Sequence, residues 1–450
     1  MNNIKDTADL SRRLFLSRGL KSTSALMLGA GALSSRLATA QESVTAQTSV
    51  TEQASVTEQA SVTEQFSQAV TGEDYWQMVR EQFSFPDSTV PMNAANLCPS
   101  FRSVADQVAF LTADIDQDCS FNNRSKFSGL LENSRALVAA QLNVSADEIA
   151  LVRNTSEANN IISNGLDLSA ADDVIIWDES HPTNHVAWQV RAARFGFKVV
   201  TVATPADLRD PQQLLDAFVA QFTDRTRVLA ITHVSNVSGI RLPIAELVQA
   251  AKARGIYVHV DGAQTWGAMA LDLAALGMDS FTASAHKWYM GPREVGLLYI
   301  KSDQHTRIWP GVVASGWGSG AETRQIGARK FESLGQRDDA ALAALSVAAR
   351  IHDSIGAARI EQRIVQLSQH LKSSVVGLGL PLVTPMDAAL SFGVVVVQTP
   401  AGQGGPLSNR LYEEFGIAGA GTGGLRLCPG IYNTLAHVDR AVAGIKQLMA

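Results

Sequence analysis

The sequence contains Tyr257-Val-His-Val-Asp261-Gly-Ala-Gln264 and, shortly afterwards, Ser280-Phe-Thr-Ala-Ser284-Ala-His286-Lys287, two stretches with the same pattern. Each begins with a strand-length run of mostly apolar residues and ends in a polar cluster. Strands that are buried on both faces of a parallel sheet have this appearance. Because ligands of open α/β sheets bind at the carboxyl ends of the strands, we expect Asp261 and Lys287 to lie at one site.

Other short apolar runs predict further strands of the same sheet, at residues 174–177, 199–202, 228–231 and 296–300. Helical stretches alternate with these runs, which indicates parallel crossover connections. Polar clusters at residues 178–181 and 232–236 follow two of the strands and should converge with Asp261. From about Asp339 the pattern changes to long Ala/Leu-rich helices, a short strand set and a last helix. The sequence therefore predicts an α/β fold with a large sheet domain and a smaller C-terminal domain.

The N-terminus carries the pattern of an export signal. A twin-arginine motif, Ser11-Arg12-Arg13-Leu-Phe-Leu16, is followed by a mild apolar stretch at 23–33 and a small-x-small cleavage site, Ala38-Thr39-Ala40. The apolar stretch is too short to cross a bilayer as a helix. Residues 1–40 are thus predicted to be a cleaved signal peptide, which sends the folded protein through the twin-arginine translocase to the periplasm. The alternative is an amphipathic helix with a chance Arg-Arg pair.

Residues 41–71 contain three copies of a six-residue Ser/Thr/Gln-rich repeat, starting at Ser49, Ser55 and Ser61. Such a segment cannot bury enough apolar surface to offset the cost of ordering it, so we expect a disordered linker. This leaves residues 72–338 for an N-terminal segment and the large domain, and residues 339–450 for the small domain.

Composition narrows the function further. Of 450 residues, 46% are hydrophobic and 18% are charged, which is typical of a globular protein with one or two domains. A formal net charge of −6 and the absence of a basic stripe argue against nucleic acid as a partner. The three cysteines, Cys98, Cys119 and Cys428, have neither metal-ligand spacing nor an even-numbered disulfide pattern. We therefore expect no metal.

Lys287 and Asp261 suggest one kind of chemistry. A catalytic lysine that forms an imine must be kept partly deprotonated by burial or by its neighbours. An acid at a neighbouring strand end can keep a ring nitrogen protonated and so make the ring an electron sink. Taken alone, the two residues are a weak signal, and a surface lysine with an ordinary strand-end aspartate is the better interpretation.

Two upstream features are compatible with a bound phosphate and a flat ring. Thr155 and Ser156 open an apolar helix, and the free backbone N–H groups of a helix start bind anions; the alternative is plain helix capping. His181 follows a strand, where an imidazole can stack on a ring; the alternative is a structural histidine.

The complete ordered set resembles the class V aminotransferases, which include cysteine desulfurases, selenocysteine lyases and isopenicillin N epimerase-like proteins. The motifs that carry the resemblance are Thr155-Ser-Glu-Ala158, His181, Ser235-Asn-Val-Ser-Gly239, Asp261-Gly-Ala-Gln264 and Ser284-Ala-His-Lys287. The resemblance covers residues from about Asn93 to the C-terminus. It implies pyridoxal 5′-phosphate (PLP) as the cofactor and the PLP-dependent transferase fold of type I, with a mainly parallel seven-stranded sheet and a smaller α+β C-terminal domain. It also implies a homodimer, in which a loop near residues 312–317 contacts the partner subunit's cofactor.

The resemblance also implies roles for single residues. Lys287 would form the Schiff base, Asp261 would pair with the ring nitrogen, and His181 would stack on the ring. Gln264 and Asn236 would lie near the ring hydroxyl. The phosphate would be held by Thr155, Ser156, Ser284 and His286. On the substrate side, Asn93 belongs to an Asn-Ala-Ala turn, and Arg426 matches the arginine that clamps a carboxylate with its fork of donors.

One departure separates the chain from the desulfurases. Their reactive cysteine lies in a loop before the carboxylate-binding arginine, and residues 416–426 here contain no cysteine. Residues 310–315 and 335–338 instead resemble the epimerase-like branch, whose members include periplasmic enzymes that tailor the glutamate side chain of pyoverdine siderophores. The expected substrate is a small amino compound. Transamination, epimerisation, elimination and oxidative decarboxylation all remain open, as does a PLP-binding protein without turnover.

Overall fold

The computed structural model describes residues 71–313 and 327–449. The predicted signal peptide, almost all of the repeat linker and most of the 312–317 loop lie outside the described residues. No helix in the described ranges is both long enough and apolar enough to cross a membrane.

Eleven strands occur in the described residues, and most are short. They are β1 (Val90–Pro91), β2 (Ile149–Val152), β3 (Asp173–Trp177), β4 (Lys198–Val202), β5 (Thr226–Thr232), β6 (Tyr257–Asp261), β7 (Ser280–Ser284), β8 (Gly296–Ile300), β9 (Val395–Val397), β10 (Ile417–Ala418) and β11 (Leu425–Leu427).

The helices of the described residues follow in chain order. They are α1 (Gly72–Arg80), α2 (Arg102–Gln117), α3 (Phe121–Arg124), α4 (Lys126–Gln141), α5 (Thr155–Gly165), α6 (Val186–Phe195), α7 (Pro211–Val219), α8 (Ile244–Lys252), α9 (Leu273–Leu276), α10 (Asp339–Ile355), α11 (Ala357–Gly377), α12 (Gly404–Phe415) and α13 (Leu435–Met449), with short 3-10 turns at Ala146–Glu148, Pro182–Asn184, Ser302–Arg307 and Gly327–Glu332.

The large domain is built on a seven-stranded sheet with the order β2-β8-β7-β6-β5-β3-β4. Strands β7, β6, β5, β3 and β4 pair in parallel, whereas β8 is antiparallel to both of its neighbours. The fold class expected from the sequence is confirmed, and so are the six strands predicted from the apolar runs. The sequence analysis missed the edge strand β2, whose four residues run almost directly into α5.

Successive residues of a sheet strand pack into two different cores, one on each face of the sheet. Leu229 and Ile231 of β5 pack into one core, which also contains Val258 and Phe281. The intervening Ala230 belongs to a second core on the opposite face of the sheet. Successive side chains of a strand point to opposite faces, so a continuous apolar run is needed where both faces are covered by helices.

The C-terminal part has a core of its own. Strands β9 and β11 pair antiparallel, and β1 from the N-terminal segment pairs in parallel with β10. Val90 shares this smaller core with Leu367, Val395 and Val438. The N-terminal segment therefore passes through the C-terminal part before the chain enters the large sheet. The residue boundaries proposed for the domains stay predictions.

Candidate active site

Lys287 lies in a tight turn three residues beyond the end of β7. Two backbone hydrogen bonds close the turn: Met290 N–H donates to Lys287 O (2.9 Å), and Gly291 N–H donates to Ala285 O (2.8 Å). Met290 has a φ of 49°, a left-handed conformation that a side chain rarely adopts unless its surroundings impose it. Lys287 keeps some exposure to solvent, so a molecule in the cleft can reach it.

Asp261 is the last residue of β6, and both of its carboxyl oxygens accept hydrogen bonds. Ala263 N–H donates to Oδ1 at 3.0 Å, and Asn159 Nδ2–H donates to Oδ2 at 2.9 Å. The next residue must be glycine, because a Cβ on Gly262 would lie 1.9 Å from the Phe281 ring. Asp261 is therefore buried in a fixed orientation at the strand end.

The start of α5 meets the end of β7 and forms a cradle of donors. Thr155 N–H donates to Ser284 Oγ at 2.9 Å, and the two hydroxyl groups are 2.8 Å apart. Asn154 caps the helix by accepting a hydrogen bond from Glu157 N–H at 3.0 Å. Ser156 is partly exposed and lines a cavity of about 520 Å³. Because the N–H groups of Thr155 and Glu157 already donate within the protein, a bound anion would depend on the hydroxyl groups of Thr155 and Ser284 and on the positive end of the helix dipole.

Arg426 in β11 is buried beside Asn93, which was predicted on the substrate side, and Asn236, which was predicted near the ring hydroxyl. Its Nη1–H donates to Asn236 O at 2.7 Å, and its Nη2–H donates to Asn93 Oδ1 at 3.0 Å. Its Nε is buried and has no hydrogen-bond partner in the described part of the chain. No carboxylate forms an ion pair with Arg426 among residues 71–313 and 327–449. A buried cation without a counter-ion is costly, so this guanidinium is suited to bind an anion that enters the cleft.

The charges of the cleft influence one another. Burial is the main cause that lowers the pKa of Lys287; Asp261 opposes this shift, and Arg426 adds to it. Burial also lowers the pKa of His181, and the next contribution comes from Lys287. Burial lowers the pKa of His286 to about 4. The structure thus places Lys287, Asp261, His181 and Arg426 around one cleft, in which burial shifts the pKa of the lysine downward.

The hydrogen bonds of His181 fix its tautomer. Thr183 N–H donates to His181 Nδ1 at 3.3 Å, and Thr183 Oγ1 lies 3.0 Å from the same nitrogen. A ring nitrogen that accepts a backbone N–H carries no proton. The proton of the neutral imidazole is therefore on Nε2, the nitrogen left for the cleft.

These residues fit PLP. The cradle of Thr155 and Ser284 at a helix start suits a phosphate, and Lys287 and Asp261 lie at adjacent strand ends. Asn236 Oδ1 is buried without a hydrogen-bond partner among the residues that the structure describes, and orphaned buried acceptors of this kind are rare unless a ligand satisfies them. The predicted roles of Ser156 and His286 at the phosphate stay predictions.

Gln264 has a second set of contacts that the sequence did not predict. Its Nε2–H donates to Ala95 O at 3.0 Å, and its Oε1 accepts from Trp288 Nε1–H at 2.7 Å. Gln264 thereby connects the Asn-Ala-Ala turn to the lysine turn. Its predicted position near the ring hydroxyl stays a prediction.

Sequence reasoning also missed three polar residues behind the site: Asn159, Thr183 and His259. A signal was present for two of them. Asn159 lies one helical turn after Thr155 and so shares its face, and His259 is the polar residue of the buried run that ends at Asp261. Within the described ranges, no group of three or more His, Cys, Asp or Glu is arranged to hold a metal ion.

Comparisons with known sequences find a matching family model and similar proteins. A family model described as aminotransferase class-V matches residues 119–421. Isopenicillin N epimerase of Amycolatopsis lactamdurans is 29% identical over 392 residues, which cover 83% of this chain and 98% of that protein. A cysteine desulfurase of Salmonella dublin is 38% identical over 177 residues, 38% of this chain and 42% of that protein.

Solved structures share the fold. A cysteine desulfurase of Escherichia coli has a TM-score of 0.73 at 22% identity, covering 84% of this chain and 99% of that one. A variant of C-DES with glycine covalently linked to its PLP cofactor also has a TM-score of 0.73 at 22% identity, covering 82% of this chain and 98% of that one.

Proposed function

This chain belongs to the aminotransferase class-V family, whose cofactor is PLP, and on that premise we propose that it acts at the Cα of an amino acid or an amino-acid-derived metabolite. One observation carries the proposal. Arg426 is buried and has no carboxylate partner in the described residues. Its positive charge contributes to the lowered pKa of Lys287. A cation placed there selects a substrate that has a carboxylate next to its amino group.

Each side chain of the cleft has its own role in the proposed reaction. PLP, when bound, supplies an electron sink for negative charge at the substrate Cα. Lys287 holds the cofactor until the substrate amine replaces it, and then takes the Cα proton as a general base. The lowered pKa of Lys287 favours the neutral amine that both tasks need. Arg426 and Asn93 bind the carboxylate, and His181 offers its Nε2–H to the cleft.

The fate of that proton separates the candidate reactions. Return of the proton to the opposite face gives epimerisation, as the name of the Amycolatopsis relative suggests. Incubation with single amino-acid enantiomers in deuterium oxide tests the proposal. Exchange at Cα is expected for the substrate class, and it should disappear in Lys287→Ala. A protein that binds PLP but exchanges no proton with any amino acid tried would be a binding protein without turnover, which is the alternative of another class.

The proposal excludes a persulfide-forming desulfurase. Residues 416–426 contain no cysteine, and Ala420 and Arg426 exchange two backbone hydrogen bonds of 3.0 and 2.8 Å across a tight hairpin. Burial raises the pKa of Cys98 to about 12 and also raises the pKa of Cys428, which disfavours the reactive thiolate. If sulfide is released from cysteine at all, replacing all three cysteines with alanine should not change the rate. Loss of that activity in the triple variant would contradict the exclusion.

We propose that the enzyme works in the periplasm on the glutamate side chain of a siderophore such as pyoverdine. Export is supported by the Arg12-Arg13 motif and the Ala38-Thr39-Ala40 site, and the siderophore role by the resemblance of residues 310–315 and 335–338 to the epimerase-like branch. Replacing both arginines with lysine should leave an uncleaved, PLP-loaded precursor in the cytoplasm. Metabolite comparison of culture supernatants with and without the protein should reveal the substrate; unchanged siderophore profiles would refute the siderophore role.

We also propose a homodimer with shared active sites. Trp309, Val312 and Val313 are 66%, 55% and 60% exposed, and apolar side chains clustered in this way are costly to leave in water. A two-fold interface would bury them twice. Sedimentation at working concentration tests this, and a fully active monomer would rule out the shared site.

A further inference from the structure

A chain of buried hydrogen bonds runs from the core of the sheet to Asp261. Ser280 and His259 are register partners on the neighbouring strands β7 and β6, and Ser280 Oγ lies 2.8 Å from His259 Nδ1. His259 Nε2 lies 2.9 Å from Asn159 Oδ1, and Asn159 Nδ2–H donates to Asp261 Oδ2 at 2.9 Å. All four residues are buried to within 1% of complete exclusion from solvent.

The direction of every bond in this chain is forced. The Asn159 amide must present Nδ2 to Asp261, because the carboxyl oxygen accepts there, and so it presents Oδ1 to His259. An amide oxygen only accepts, so His259 Nε2 carries the proton. Burial lowers the pKa of His259 to about 3, so the ring is neutral and Nδ1 accepts from the Ser280 hydroxyl. Donation thus runs one way, from Ser280 through His259 and Asn159 to Asp261.

The same amide also reaches His181. Asn159 Nδ2 lies 3.3 Å from Thr183 Oγ1, which is 3.0 Å from His181 Nδ1. Since Nδ2 can only donate, the Thr183 hydroxyl accepts from Asn159 and is free to donate to His181. One side chain thereby contacts the residue expected at the ring nitrogen and, through Thr183, the residue expected on the ring face.

We propose that Asn159 is a positioning residue that orients Asp261 and His181 together, and that His259 and Ser280 fix the direction of its amide. Without His259, the amide can rotate by half a turn and place Oδ1 against the carboxyl oxygen, which would push Asp261 away. This inference rests on the proposed role of Asp261 at the ring nitrogen.

The test uses the holoenzyme loaded with PLP that carries ¹⁵N in its ring. The variants are Asn159→Ala, His259→Phe and His259→Gln, with Asp261→Asn as the reference; glutamine keeps an N–H donor for Asn159, and phenylalanine does not. Ser163→Ala is the matched control, since Ser163 is a buried polar residue of the same helix whose hydroxyl, within the described part of the chain, hydrogen-bonds only to Asn160 O at 3.4 Å. The readouts are the ¹⁵N chemical shift of the ring, and kcat and KM for the amino-acid substrate.

Asn159→Ala and His259→Phe should move the ring ¹⁵N shift toward the Asp261→Asn value and lower kcat about tenfold, as expected for loss of one hydrogen bond to a charged group. KM should change less than about twofold, because the carboxylate contacts of Arg426 remain. His259→Gln should recover most of the wild-type shift, and Ser163→Ala should match the wild type. A wild-type ring shift and kcat in folded Asn159→Ala would overturn the inference. If that variant does not fold, equal spectra for His259→Phe and His259→Gln would overturn it instead. An unchanged ring shift in Asp261→Asn would show separately that the proposed role of Asp261 is wrong.

Discussion

Arg426 offers the sharpest test of the proposed substrate class. The Arg426→Gln variant removes the charge and one arm of the donor fork. A hydrogen bond to a charged group contributes about 1.5–3 kcal/mol, so losing the pairing with a substrate carboxylate should cost about 3 kcal/mol. That value corresponds to roughly a 150-fold loss in kcat/KM for an α-amino acid.

The assay compares each amino acid with the corresponding amine that lacks the carboxylate. The amine makes no contact with the guanidinium, so its rate should change less than about threefold in the variant. Arg410→Gln is the control, because Arg410 is an exposed arginine on α12 whose one ion pair among residues 71–313 and 327–449 is with Glu414. Arg426 also donates to Asn236 O at 2.7 Å, so circular dichroism and bound PLP should be checked first. Equal losses for amino acid and amine would refute carboxylate recognition by Arg426.

Three further outcomes are expected. Lys287→Ala should give no borohydride-reducible link to PLP, because Lys287 is the lysine of the turn after β7; a reducible adduct at wild-type stoichiometry would show that the assignment is wrong. Asp261→Asn should lower turnover far more than PLP affinity, since the Thr155–Ser284 cradle is separate from the ring nitrogen; unchanged turnover would remove the electron-sink role. Finally, burial lowers the pKa of His233 to about 3 from 6.5. Between these two pH values His233 is protonated in the unfolded chain and neutral in the folded protein. Its contribution to the free energy of unfolding is therefore fully present above pH 6.5 and falls by about 1.4 kcal/mol for each pH unit below it. In urea titrations of the apoprotein, His233→Gln should reduce that acid-side slope, and an identical slope would argue against a buried neutral His233.

The fold class and the PLP cofactor could be predicted from the sequence alone. The run Tyr257–Asp261 is buried at all five positions, His259 is its one polar residue before the end, and it ends in the acid that a strand-end site needs. The order of the motifs along the chain was enough for this prediction, because each motif lies within a few residues of the strand that positions it. The lack of a cysteine between Ala420 and Arg426 can also be seen directly in the sequence.

Contacts between residues that are far apart in the sequence could not be predicted, and only the tertiary structure shows them. Asn93 and Arg426 are separated by 333 positions and yet form a hydrogen bond of 3.0 Å, and Asn159 reaches Asp261 over 102 positions. The period of a helix or strand says which face a residue occupies, but it does not say which element covers that face. Gln264 shows the consequence: the sequence placed it correctly at a strand end, and only the packing of the lysine turn against the Asn-Ala-Ala turn directed its amide to Ala95 and Trp288. A buried polar group takes whichever partner the assembled fold brings within reach, because leaving it unpaired costs more than any local preference.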